Sequence, residues 1–96
     1  MKRDLALSIL SSHRAELTQF KVKTLSIFGS VARDQARADS DIDILVEFSA
    51  PVGIFEFLDL KEYLEKILQG RVDLATEQAL KRQLRDQILK EAIRAA

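Results

Sequence analysis

Residues 41–48 alternate cleanly. Ile42, Ile44, Val46 and Phe48 fall on one side, and Asp41, Asp43, Leu45 and Glu47 on the other. A period of two is that of a strand with one buried face. Leu25-Ser26-Ile27-Phe28 predicts a shorter strand that ends at Gly29, and residues 71–75 a third, with Val72 and Leu74 opposite Asp73. Elsewhere the apolar positions follow helical spacing. Residues 4–20 carry Leu5, Ile9, Leu10 and Leu17 on one stripe, and residues 30–37 have the composition of a helix of about two turns. Residues 54–69 form a longer helix burying Phe57, Leu60, Leu64, Ile67 and Leu68, stopped by Gly70 just beyond its C-terminus. Thr76 is a fitting N-cap and Glu77 suits a first turn. The helix they open carries Leu80, Leu84, Ile88, Ala92 and Ile93 inward to the end of the chain. Residues 20–23, 38–40 and 49–53, the last with the only proline, read as connections.

Composition narrows the function classes. Ninety-six residues make one domain with a modest core, spanning 1–96. Fifteen acidic residues balance fifteen basic ones, so strong nucleic-acid binding, which relies on a basic surface, is not expected. The basic residues of the last helix are interspersed with Asp86 and Glu91 and read as a solvated face. With no cysteine and one histidine, His13, disulfides, thiolate zinc sites and cysteine nucleophiles are excluded. His13 reads as a boundary residue of its helix. No apolar run approaches the length of a bilayer span, and no signal-peptide pattern opens the chain. A cytoplasmic protein is the expectation.

The chemistry concentrates in TLSIFGSVARDQARADSDIDILVEF, residues 24–48. Alternate residues of a strand point to one side about 7 Å apart, so the carboxylates of Asp41 and Asp43 can converge on one point. Two adjacent anions repel, and a divalent metal reverses that penalty. Hard oxygen donors suit magnesium or manganese. Asp73, on the matching parity of its own strand, supplies a third carboxylate if the strands are neighbours. Three carboxylates without histidine or cysteine are the ligand set of two-metal phosphoryl chemistry. Gly29 lets a phosphate approach the backbone, Ser30 opens a helix with free N–H groups, and Arg33, one turn on, reaches a phosphate oxygen or pairs with an aspartate. Asp39, Asp41 and Asp43 also alternate like the start of a calcium loop, but Ile44-Leu45-Val46 continues as a strand where that loop needs glycine.

Gly-Ser, ten residues and Asp-Ile-Asp, within GSVARDQARADSDIDILVEF, resemble the signature of the DNA polymerase β-like nucleotidyltransferase superfamily. The segments SDIDILVEF and RVDLAT and the ending ILKEAI resemble its minimal nucleotidyltransferase (MNT) branch. The resemblance implies an α/β (α+β) fold in which a small mixed sheet has helices packed on one face and carboxylates on the other. It implies that Gly29 and Ser30 hold the triphosphate of ATP, that Asp41 and Asp43 bind Mg2+, and that Asp73 helps activate the acceptor hydroxyl. Many MNT proteins are antitoxins encoded beside a HEPN-domain ribonuclease toxin, and some transfer AMP to a tyrosine of that toxin. The chain departs from the pattern at Asp34, where relatives often have glycine; this sets an extra anion near the phosphates.

Three functions follow as expectations. The first is transfer of AMP from ATP to a hydroxyl of a HEPN toxin from an adjacent gene. The second is a non-catalytic antitoxin acting by occlusion. The third, transfer to a small molecule, ranks last because the added acceptor domain is missing. A partner is expected to dock from outside, and Ile54-Phe55-Glu56-Phe57-Leu58 carries more apolar surface than one buried face needs. Self-association is left open.

Overall fold

The computed structural model describes residues 1–96. In chain order the elements are α1 (Arg3–Ser12), α2 (Arg14–Gln19), β1 (Val22–Phe28), α3 (Gly29–Ala32), β2 (Ile42–Phe48), α4 (Ile54–Leu68), β3 (Val72–Ala75), a 3-10 turn (Glu77–Ala79), α5 (Arg82–Glu91) and β4 (Ile93–Arg94). The sheet order is β3-β2-β1-β4. β1 runs antiparallel to β2 and β4, and β2 parallel to β3, so this is the mixed sheet of an α+β domain.

The alternation of β2 sets the two faces. Ile42, Ile44 and Val46 are buried with Leu25 and Ile27 of β1 and Val72 and Leu74 of β3. Leu10 and Leu17 from α1 and α2, and Leu60, Leu64 and Leu68 from α4, close over them in one core cluster. The opposite face is polar. Thr24, Ser26, Leu45 and Glu47 floor a groove of about 990 Å3 walled by residues 49–54 and 75–79 and by Leu89 of α5.

Several boundaries differ from the sequence expectation, each for a local reason. The first helix breaks at His13, because the Ser12 hydroxyl and the His13 imidazole both take the Ile9 carbonyl and draw it from the helical ladder. The buried stripe then runs through Ala6, Leu10 and Leu17, while Leu5 is exposed. β1 starts at Val22 rather than Leu25. Lys21 adopts a left-handed turn, and its carbonyl accepts the Ser49 N–H, pairing Val22 with Phe48. At the end of α4 it is Gln69, not Gly70, that takes the left-handed conformation. Gly70 instead leaves room for Ile42.

The largest correction is at the C-terminus. A single helix running inward to the chain end is not formed. Thr76 is extended and makes no side-chain cap, Leu84 is 47% exposed, and α5 contains no buried residue. Ala92 leaves the helix in an extended conformation, and Ile93 and Arg94 pair with Ile27 and Ser26. Leu25 donates to the Ala96 carbonyl and accepts from Ala95 and Ala96. The β1 edge, otherwise unpaired, thus recruits the last residues.

Candidate active site

β2 and β3 place the acidic side chains. In the parallel register Asp43 stands beside Asp73, while Ile42 pairs with Val72 and Ile44 with Leu74. Both aspartates therefore share the polar face. Burial raises the Asp43 carboxyl to about 6, with Asp73, Asp41 and Glu91 adding repulsion and Arg33 opposing it. Asp41, just before β2, is turned aside to the Arg71 guanidinium at 3.1 Å. As the side chains stand, no three carboxylates meet at one point.

β1 supplies the facing corner. Phe28 is paired with Asp43, so Gly29, the next residue, turns directly over that carboxylate. Gly29 has φ +69°, and a Cβ there would overlap the Asp43 carboxylate. This is one position where only glycine fits, by backbone conformation and by space. Ser30 is partly exposed in the single turn of α3. The expected helix over 30–37 stops at Ala32, because Asp34 adopts a left-handed conformation, φ +57°. A glycine would take that conformation freely. The Asp34 carboxylate accepts the Arg3 N–H at 3.0 Å, at the start of α1, so it is engaged by a helix N-terminus rather than free beside the corner.

Sequence reading missed Glu91. Its carboxylate accepts the Gly29 N–H through Oε1 at 3.0 Å and the Arg33 guanidinium through Oε2 at 3.0 Å. An acid in the last residue of a helix opposes the helix dipole. That misplacement was one available signal, hidden while the helix was expected to continue past it, and the place of Glu91 within ILKEAI was another. Arg71 was missed too, as the residue before a strand rather than a partner for Asp41.

The donor set fits divalent cations. Asp43 and Asp73 lie side by side, neither held in a salt bridge, and their mutual repulsion is what a cation relieves. Asp41 would join them by turning from Arg71.

Comparison with known proteins places the chain. The nucleotidyltransferase domain family model matches residues 10–95, and the chain belongs to that family. Among individual relatives, the protein adenylyltransferase MntA of Thermococcus cleftensis is 41% identical over 87 residues, spanning 90% of this chain and 88% of that protein. A solved structure of a candidate minimal nucleotidyltransferase superposes with a TM-score of 0.82 at 35% identity, over 97% of this chain and 95% of that one. The MNT antitoxin in complex with a tri-AMPylated Shewanella oneidensis HEPN toxin shares the fold, with a TM-score of 0.65 at 19% identity over 94% of this chain and 71% of that chain. The expected fold and family are both met. No helix here is long and apolar enough to cross a membrane.

Proposed function

We propose that this nucleotidyltransferase is a protein adenylyltransferase that moves AMP from ATP onto a hydroxyl, a tyrosine of a HEPN-type toxin, and so neutralises it. The observation that carries this reading is the in-register Asp43–Asp73 pair lying against the Gly29 corner. Its 41% identity to a protein adenylyltransferase supports the acceptor class.

In this reading Gly29, Ser30 and Arg33 hold the polyphosphate, and Asp41, Asp43 and Asp73 hold Mg2+. Divalent cations there would neutralise phosphate charge and stabilise the attacking and leaving oxygens. The chain's own part is positioning and proton handling. The acceptor oxygen bonds to the α-phosphorus, the bond to the bridging α–β oxygen breaks, and pyrophosphate leaves. Asp73, partner to Asp43 and exposed on the open side, takes the hydroxyl proton. The groove beyond Leu45 and Ala75 continues along this face and offers space to the acceptor.

The test is incubation of the chain and its toxin partner with ATP and Mg2+. Label at the α-phosphate should pass to the partner, whereas transfer of γ-label alone would make the protein a kinase and end the proposal. A second reading, neutralisation by occlusion, draws on Ile54, Phe55 and Leu58, which are 64%, 79% and 46% exposed around the start of α4. The D41N/D43N double variant separates the two. Protection lost with binding retained supports catalysis, and protection retained supports occlusion.

A further inference from the structure

We propose that Glu91 is a built-in competitor for the polyphosphate: its carboxylate occupies the Gly29 N–H and the Arg33 guanidinium that the nucleotide must take. The inference rests on the reading of the Gly29–Arg33 corner as the polyphosphate site, and it adds the regulation of that site.

The contact has the form of anion recognition. One carboxylate spans two donors, a backbone N–H and a guanidinium, with both distances at 3.0 Å. Charge assistance makes this arrangement stronger than a neutral hydrogen bond. A phosphate oxygen asks for the same pair. The Gly29 N–H carries a single proton, and Gly29 is buried, so it cannot serve both anions in full. Arg33 also bonds Gln35 through Nε at 3.3 Å, which leaves its outer nitrogens as the contested donors. Glu91 retained in place would set a further negative charge against an incoming triphosphate. Its side chain is only 20% exposed, so water screens that charge weakly.

Glu91 is also the last residue of α5, with Ala92 alone between it and β4. Polyphosphate that takes Gly29 and Arg33 thus frees the junction between a helix with no buried residue and a two-residue strand. Polyphosphate affinity is then set by how readily that junction lets go. A partner that holds Glu91 away would raise it, and the coupling is reciprocal.

The test is titration calorimetry on the full chain with Mg2+, using inorganic tripolyphosphate and a non-hydrolysable ATP analogue. E91Q keeps the shape of the side chain and an oxygen for the Gly29 N–H but removes the charge facing Arg33. E91A removes both contacts. Affinity should rise from wild type to E91Q to E91A, about fivefold and then about tenfold over wild type. If Glu91 merely braces the corner, the order inverts, with E91A weakest, and the inference is overturned. Equal affinities overturn it as well. In either case measurable binding by wild type leaves the nucleotide site itself standing. Absence of binding by all three proteins would remove both readings.

Discussion

Asp43→Asn should make the metal-free protein more stable while ending its chemistry. The Asp43 carboxyl titrates at about 6 instead of the ordinary 3.8, through burial first and then the charges of Asp73 and Asp41. The folded pKa lies above the unfolded one, so the folded state binds the proton more tightly. That contribution is complete below about pH 4 and is lost as pH rises through about 6. A shift of about two units corresponds to at most about 3 kcal/mol. Asp43 is partly exposed, and solvent screening reduces the figure to about 1 kcal/mol. Asparagine is uncharged at every pH and escapes the penalty.

Melting curves in chelator from pH 4 to 8 read this directly. D43N and wild type should coincide near pH 4 and separate above pH 6, the variant melting about 4–8 °C higher. Adding Mg2+ at pH 7.5 should raise the wild type and leave D43N in place, since the cation needs the carboxylate. Transfer of α-label should be lost throughout. A D43N protein that melts below wild type in chelator at pH 7.5, or an advantage that does not grow with pH, would refute the account of Asp43 as a group strained for function.

Other perturbations have equally definite outcomes. Gly29→Ala forces a side chain into the left-handed region, at about 1–2 kcal/mol, and drives a methyl into the Asp43 carboxylate; the urea midpoint should fall and label transfer should disappear. Leu64→Ala opens a cavity at a fully buried position of the core cluster, costing about 2–5 kcal/mol by denaturant titration. Asp34→Gly, by contrast, should leave tripolyphosphate affinity unchanged in the same calorimetric assay. The Asp34 carboxylate is engaged by the Arg3 N–H, and glycine tolerates φ +57°.

The site was legible where the period of two was strict. The alternation of residues 41–48 assigned the face of Asp43, and the alternation of residues 72–75 assigned that of Asp73; their parallel pairing then set the two side by side. Long-range pairing was not legible. Nothing local in Ile93-Arg94 announces a strand, since two residues carry no period, and the pairing depends on the open edge of β1. Glu91 belongs to the same class of feature. Its placement follows from contacts 62 and 58 residues away in sequence, at Gly29 and Arg33, which no window of sequence contains. Asp34 is a third case: a residue that reads as an extra charge is engaged by a helix start 31 residues before it.

These misses share a physical cause, and it bears on how the molecule works. The core is made by strands and helices whose apolar faces dictate their own positions, so α4, β2 and β3 could be read from periodicity. α5 has no such face: none of its residues is buried, and Leu84 and Leu89 are 47% and 39% exposed. An element without a buried stripe is placed by its ends, here by Glu91 on the Gly29 corner and by β4 on the edge of β1. Packing thus gives α5 less hold than the core elements have, and few buried contacts are the mark of a segment that opens at low cost. The segment hardest to read from the sequence is thus the one most easily moved by whatever binds Gly29 and Arg33.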